Sequence, residues 1–219
     1  LEGLDDVAAF SQVALQALRQ RVPIVVLKTG ASELGGQITM SHTSSLAGAD
    51  TLYDALFERM GVLRVRSIPE LLETLKFLSL VGPLPSDGIA SISCSGGEAA
   101  ILADRAAAHG LPMPALLPEQ HDRLFEVLGE RVALSNPLDY HTYIWGDEET
   151  QYRCFSAMLL GTQAVTIKVL DFPRLDVCDP AQWVKTGRAF RRAVIDAGKK
   201  GVVLATMQEN LPEGLGADL

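Results

Sequence analysis

Short apolar runs alternate along this chain with longer stretches in which apolar residues recur every three or four positions. Leu4 to Gln20 places Val7, Ala8, Leu15 and Leu18 at helical spacing, with Phe10 and Val13 between them, and predicts an amphipathic helix. Pro23 precedes Ile24-Val25-Val26-Leu27, a run that reads as a buried parallel strand. From Lys28 the chain turns to glycines and hydroxyl residues, and this composition predicts a long, flexible loop. Ala47 to Met60 is helical by period, with Leu52, Ala55, Leu56 and Met60 on one face, and Gly61 ends it. Val62 to Val65 is the next strand. Ser67 then caps a helix through Leu80, with Pro69 in its first turn and Glu70 three residues after the cap.

Gly82-Pro83-Leu84-Pro85-Ser86-Asp87-Gly88 has the composition of a linker. Beyond it, Ile89–Ser93, Ala164–Leu170 and Gly201–Thr206 read as strands. The intervening helices are Gly97–His109, Pro118–Leu128, Glu148–Leu160 and Pro180–Ala197. Such alternation predicts an α/β protein with parallel sheets covered on both faces. The expected organisation is one unit over residues 1–81, a linker at 82–87 and a second unit over 88–219. Both ends look cut, because each outer strand expects a neighbour to bury it.

The chain has 219 residues, 47% hydrophobic and 21% charged, enough for one large or two small domains. No apolar run reaches the roughly 18 residues that cross a bilayer, and no secretory leader is visible. The formal charge is −8 and neither half is basic, so neither a membrane nor a nucleic acid is an expected partner. Cys94, Cys154 and Cys178 are too few and too scattered for a zinc site or a disulfide framework; reduced thiols in a cytoplasmic enzyme are the simple reading, with no metal site.

Candidate chemistry concentrates at His42, in the run Met40-Ser41-His42-Thr43-Ser44-Ser45-Leu46-Ala47-Gly48. A histidine among small hydroxyl residues, beside a Gly-rich segment and before a helix, suits a mobile nucleophile that carries a phosphoryl group. A capped turn with a surface histidine is the plain alternative. Ser95-Gly96-Gly97-Glu98 follows an apolar strand and opens a helix, where free amides form an anion site or simply a strand-to-helix turn. Glu98 is expected to point away from such a site. Asn136-Pro137-Leu138-Asp139 sits at a strand end and either orders the turn or receives the histidine loop. His109 reads as a helix C-cap, and His121 and His141 as solvated or structural. Tyr140, Tyr143 and Trp145 form an aromatic loop that fits a substrate-facing lid or a subunit contact.

Val25-Val26-Leu27-Lys28-Thr29-Gly30 followed by Ser41-His42-Thr43-Ser44-Ser45-Leu46-Ala47-Gly48 resembles the phosphohistidine segment of nucleoside-diphosphate-forming acyl-CoA synthetases, of the succinyl-CoA synthetase superfamily. Ser93 to Glu98 and Ser135 to Asp139 extend the resemblance in order along the chain. Ser44 departs from it, standing where the family usually has glycine, which stiffens the loop. The resemblance implies two flavodoxin-like units, the second part of the family's middle domain and most of its third, in a fragment of a larger multidomain enzyme. It implies an acid–CoA ligase that couples thioester formation to ATP and ADP through phosphohistidine at His42. Glu2, forty positions earlier, would fix the imidazole tautomer; an ordinary acidic residue near a helix start is the alternative. Ser95, Gly96 and Gly97 would bind phosphate, on one of two helices that point at the phosphohistidine in the family. Lys28, Ser41, Thr43, Asn136 and Asp139 would support the loop, although a snorkelling strand-end lysine explains Lys28 equally. CoA, ATP or ADP with magnesium, and a small carboxylic acid are the implied substrates. A CoA-binding domain and an ATP-grasp domain, fused or on another subunit of an oligomer, are the implied partners. Two rival readings are a non-catalytic regulatory synthetase-like region of a protein acetyltransferase fusion and a flavodoxin-like small-molecule-binding module.

Overall fold

The computed structural model describes residues 1–42 and 50–211, and of residues 39–42 and 208 the backbone alone. The chain forms two compact units, Leu1–Pro83 and Leu84–Leu219. Each is α/β with its own parallel sheet.

The first unit contains α1 (Val7–Arg19), β1 (Val25–Leu27), α2 (Glu33–His42), α3 (Asp50–Met60), β2 (Leu63–Val65) and α4 (Ile68–Leu80). β1 and β2 pair in parallel, Val25 opposite Leu63 through Leu27 opposite Val65. Leu1 adds to this ladder: its nitrogen donates to Leu27 O at 3.0 Å, and Thr29 N donates to Leu1 O at 3.0 Å. The core gathers Ala14, Tyr53, Phe57, Met60 and Val62, with Phe10 and Leu56 packed against it. Two helical faces therefore differ from the sequence reading. α1 turns Phe10 and Ala14 inward and leaves Val7, Val13, Leu15 and Leu18 exposed. α3 buries Tyr53 and Phe57 while Leu52 is exposed. Both helices carry apolar residues around much of their circumference, so period alone leaves the phase open, and the bulky rings of Phe10, Tyr53 and Phe57 settle it by packing together.

A larger correction concerns residues 33–42, read as loop and observed as helix α2. Ser32 starts it: Ser32 Oγ accepts from Gly35 N at 3.1 Å and Ser32 O from Gly36 N at 2.8 Å. Glu33 adds a carboxylate to the first turn. A capping serine, worth about 1 kcal/mol, and an N-terminal acid offset much of the helix penalty of two glycines, about 1 kcal/mol each.

The second unit contains β3 (Ile89–Ser93), α5 (Gly96–Ala108), α6 (Pro118–Leu128), β4 (Leu138–Asp139), α7 (Glu148–Leu159), β5 (Val165–Val169), α8 (Ala181–Ala197) and β6 (Gly201–Leu204). Its parallel sheet has the order β4-β3-β5-β6. One face carries the main core, where Ala90, Ile92 and Leu138 meet Leu124 and Leu128 of α6, Phe155 and Met158 of α7, and Phe190 of α8. The other face packs Ile89 and Val165 against Ala106 of α5. Chain connections leave β3 toward β4 on one side and β5 on the other. In open parallel sheets such a reversal creates a crevice at the carboxyl ends of the strands.

Candidate functional site

In the first unit, the backbone of Ser41 and His42 closes helix α2, and their side chains lie outside the description. Thr43 and Ser44, with the rest of the segment to Ala49, lie outside the described residues. Chain order resumes at α3, whose first residue is firmly held. Asp50 accepts from Arg64 Nη2 at 2.7 and 3.0 Å, and Asp54 accepts from Arg64 Nη1 at 2.7 Å and Arg66 Nη2 at 3.0 Å. Arg66 first, then Arg64, hold the Asp54 carboxyl below its ordinary range. Arg64, which sequence reasoning passed over as a strand residue, thus fixes one stem of the histidine segment to β2.

Lys28 follows β1 directly and is buried at 5% exposure. Its Nζ donates to Thr29 O at 2.9 Å and lies 4.5 Å from the Tyr53 ring centroid. Glu2 is exposed, one residue beyond the Leu1 pairing with β1.

In the second unit, β3 delivers its carboxyl end directly into α5. Ser95 is the N-cap residue but makes no side-chain capping bond, and Gly96 and Gly97 are exposed. Helix geometry leaves the first amides of α5 without intrahelical acceptors, and here they face an accessible edge with no side-chain cap. Ser93 Oγ donates to Ser95 O at 3.0 Å and steadies the turn.

Asp139 approaches the same helix start: a β-carbon added at Gly96 would stand 3.2 Å from Asp139 Oδ2. Its other oxygen accepts from His141 N at 2.8 Å, and His141 Nδ1 lies 3.6 Å from Oδ2. A shallow groove of about 270 Å³ runs along this flank, between Ala99 and Ala103 of α5 and Ser135, Pro137 and His141. Asn136 is spent on the backbone. Its Oδ1 accepts from Ser91 N at 3.1 Å, and its Nδ2 donates to Ile89 O and Pro114 O, each at 3.0 Å. The peptide bond from Asn136 to Pro137 is cis.

Glu98 turns one carboxylate oxygen inward from solvent. Its Oε2 is buried without a hydrogen-bond partner, and burial raises its carboxyl above the ordinary range, with Lys168 opposing and Asp171 and Asp139 adding to the shift. Lys168, on β5, is completely buried. Its Nζ donates to Val169 O at 2.8 Å and lies 4.9 Å from the Tyr140 ring centroid and 5.7 Å from that of Phe155. Burial lowers its ammonium to about 8. The sequence offered one signal for it, a lone lysine inside the apolar run Ala164 to Leu170. In the aromatic loop Tyr140 is fully buried, Trp145 stacks edge-on against Trp183 at 5.2 Å, and Tyr143 stays exposed. Among the described residues no group of three or more His, Cys, Asp or Glu is arranged to hold a metal ion. No described helix is long and apolar enough to cross a membrane.

The geometry defines a pair of open, parallel α/β units, the second presenting uncapped helix amides at a strand-order reversal. Residues 1–78 match the family described as succinyl-CoA ligase like flavodoxin domain. Over 75% of its length the chain is 35% identical to ADP-forming acetate–CoA ligase II of Archaeoglobus fulgidus, covering 23% of that protein. Over 51% of its length it is 37% identical to the ADP-forming acetate–CoA ligase I subunit alpha of Pyrococcus furiosus, covering 24% of it. A solved dinucleotide-forming acetyl-coenzyme A synthetase 1 of Ca. Korarchaeum cryptofilum, in complex with phosphate and ADP, superposes with a TM-score of 0.77 over 94% of this chain and 43% of its own, at 22% identity. These matches bear out the resemblance to nucleoside-diphosphate-forming acyl-CoA synthetases. The chain spans about a quarter of the length of these curated relatives.

Proposed function

We propose that the chain is the phosphoryl-carrying part of an ADP-forming acid–CoA ligase, with residues 1–81 the second part of a middle synthetase domain and 88–219 the third. The uncapped N-terminus of α5 supports this most directly, because exposed amides beside two glycines suit a phosphate group. In the reaction, phosphate attacks the acyl-CoA thioester and releases CoA, leaving an acyl phosphate. A ring nitrogen of His42 takes the phosphoryl group and releases the carboxylate. ADP then takes the phosphoryl group from His42 and leaves as ATP; the reverse order makes the thioester. Glu2 fixes the imidazole tautomer, and Ser95, Gly96 and Gly97 stabilise phosphoryl oxygens through the α5 amides. Lys28, Ser41, Thr43, Asn136 and Asp139 brace the surroundings. CoA, ATP and a small carboxylic acid are substrates of the whole enzyme, magnesium accompanies the nucleotide, and CoA-binding and ATP-grasp domains complete an oligomer in the cytoplasm.

Full-length protein incubated with γ-labelled ATP and magnesium is expected to acquire acid-labile, base-stable label. His42→Asn should remove the label and thioester formation together, and Glu2→Gln should lower the label's yield or lifetime. Wild-type turnover in His42→Asn would overturn the assignment. One observation favours the regulatory alternative: Asp139 and Glu98 place carboxylates at the helix start where phosphate would bind. A wild-type protein without label or ligase activity would select that alternative.

A further inference from the structure

We propose that His141 is the general base that takes the proton of the attacking thiol when acyl phosphate becomes thioester, with Asp139 as its positioning residue and the groove beside α5 as the path of the thiol arm. The inference rests on the ligase reading above and deepens it. That reading takes a proton off sulfur in one direction and returns it in the other. His42, Glu2 and the α5 amides are all engaged with the phosphoryl group and leave that proton without a carrier.

The groove supplies the place. It is shallow, of about 270 Å³, and both Asp139 and His141 line it. Ala99, Ala100 and Ala103 of α5, with Ala133, give it an apolar floor. Methyl-sized side chains leave room for an unbranched arm and offer no hydrogen bonds that would hold a sugar or a base. Ser135 also lines the groove, but its Oγ donates to Pro137 O at 2.8 Å, so its proton is committed to the chain and it makes no nucleophile. The imidazole and the carboxylate remain.

The imidazole is held from several sides. His141 N donates to Asp139 Oδ1 at 2.8 Å, and Nδ1 stands 3.6 Å from Asp139 Oδ2, within ion-pair reach. Tyr143 lies against the ring, 5.5 Å between centroids, and the Arg131 guanidinium backs Tyr143 at 5.0 Å. With Nδ1 turned to the carboxylate, Nε2 is the nitrogen left for a ligand. The His141 side chain is half exposed while that of Asp139 is mostly buried, so the ring meets the groove and the acid stands behind it. An acid in that position orients the ring and answers the imidazolium that forms when a proton arrives. A turn role explains His141 poorly. Its φ is +54°, a region where glycine or asparagine sits with less strain. Asp139 also sets where the pair stands: a β-carbon at Gly96 would lie 3.2 Å from Oδ2, which brings the dyad to the carboxyl ends of the strands, where open sheets receive ligands.

In the thioester-forming direction, Nε2 takes the thiol proton as sulfur attacks the acyl carbon. The carbon–sulfur bond forms, the bond from that carbon to the phosphate oxygen breaks, and the imidazolium gives its proton to the departing phosphate. In the other direction the ring takes the proton of the attacking phosphate and gives it to the leaving thiolate.

The test uses the half-reaction that needs neither nucleotide nor His42. The full-length protein receives CoA and acetyl phosphate, or the acyl phosphate of whichever carboxylic acid supports wild-type ligation, and thioester is followed. His141→Asn suits the left-handed backbone and removes the base. Its kcat should fall roughly a hundredfold, the lower range for a lost general base, and added imidazole should recover part of the rate. Its KM for CoA should stay within about threefold. Label on His42 from γ-labelled ATP should be unchanged. Asp139→Asn should lose less, and imidazole should not help it, because the ring is still present. Ala103→Leu should raise the KM for CoA about tenfold with little change in kcat, since it fills the arm's path. A His141→Asn rate within about threefold of wild type overturns the proposal. So does a loss that imidazole leaves untouched, or one that the label shares in equal measure, because either would mark a structural role. Label on wild type with an unimpaired His141→Asn sinks this inference alone. Thioester formation without label sinks the phosphohistidine reading alone, and a wild type that ligates no acid sinks both.

Discussion

The two units repeat one local device at different depths. Each has, at the carboxyl end of a parallel strand, a buried lysine whose Nζ donates to the next residue's carbonyl and rests over a tyrosine ring: Lys28, just after β1, on Thr29 O and Tyr53, and Lys168, next to last in β5, on Val169 O and Tyr140. Lys28 sits in a unit with a two-stranded sheet, where α4 buries no residue completely and Ile68, Leu72 and Leu75 face outward. Lys168 sits in a four-stranded sheet, inside the main core formed with α6, α7 and α8. The same contacts therefore mean different things. Lys28, at 5% exposure, keeps its ammonium on one carbonyl and one ring beside a small core. Lys168, fully buried, is a charge held against the solvation penalty.

That contrast in depth gives the largest expected effect. Phe155, fully buried and edge-on to both Tyr140 and Phe190, should lose about 3–5 kcal/mol on substitution by alanine. Leu72→Ala, on the exposed face of α4, should change stability by less than about 1 kcal/mol. Denaturant melts of the 219-residue chain check both. A Leu72 loss as large as the Phe155 loss would break the comparison, because it would mean α4 is covered after all.

Next in size is the lysine itself. Below pH 8 Lys168 is charged in both folded and unfolded chains, and the fold carries the full penalty of burying it. Between about 8 and the ordinary 10.5 the folded protein releases this proton while the unfolded chain keeps it, so stability rises with pH. Lys168→Met should remove that rise and leave the protein about 2–4 kcal/mol more stable at pH 7. Cys154, pushed up to about 12 by burial, works in the opposite sense above pH 9. The difference between variant and wild type, measured by chemical denaturation from pH 7 to 10, is therefore the quantity to read. A variant less stable than wild type at pH 7 would show that the ammonium is a structural asset.

How much of this was legible in the sequence differs between the units for physical reasons. Ser67 announced α4, and the structure shows its hydroxyl accepting from Glu70 N at 3.3 Å while the Glu70 carboxylate accepts from Arg66 N. β3 and β5 were legible because their short segments, buried at every position but Ile167, are rich in Val, Ile and Ala and bounded by turn residues. α2 was not, because two glycines and a row of hydroxyl residues carry the composition of a loop, and the decisive contact is one capping serine. Of the candidate site, the glycine turn before α5 was visible as a strand running into a helix. The buried Oε2 of Glu98 was not, since a first-turn acid ordinarily faces water. Lys168 was hidden for the opposite reason: the apolar run that announced its strand also disguised its one charge. Arg64 was concealed within a strand, because its partners come from a helix ten and fourteen residues earlier.

A third expected effect sharpens the role of the second unit's edge. Asn136 makes three hydrogen bonds to backbone groups of Ser91, Ile89 and Pro114. Asn136→Ala strands those groups and should cost about 2–3 kcal/mol, at roughly 1 kcal/mol per bond. Asn136→Asp keeps the acceptor but sets a carboxylate oxygen against the Ile89 and Pro114 carbonyls, so it should be no more stable than alanine. Thermal melts at neutral pH order the three, and an alanine variant as stable as wild type would deny the bracing role.

The smallest effect returns to the first unit and asks whether its charge network does for the histidine segment what apolar depth does for the second unit. Arg64 is 8% exposed at its side chain; its Nη2 donates to both carboxylate oxygens of Asp50 and its Nη1 donates to Asp54. Lysine offers one point charge in place of that fork, so Arg64→Lys should lose about 1–2 kcal/mol. The more telling readout is local. Asp50 is the first residue of α3, immediately after the segment 43–49, so loosening it frees one stem of that segment. Amide exchange over residues 50–54 should speed in Arg64→Lys by roughly the factor that 1–2 kcal/mol implies, about five- to thirtyfold, while exchange over β5 stays unchanged. Label on His42 in the full-length protein should then form at a lower yield, because positioning is lost and the nucleophile is kept. Faster exchange with an unaltered yield of label would confine Arg64 to stability. Unaltered exchange would show that α3 is held by Tyr53, Phe57 and Met60 in the core, and that depth governs the first unit too.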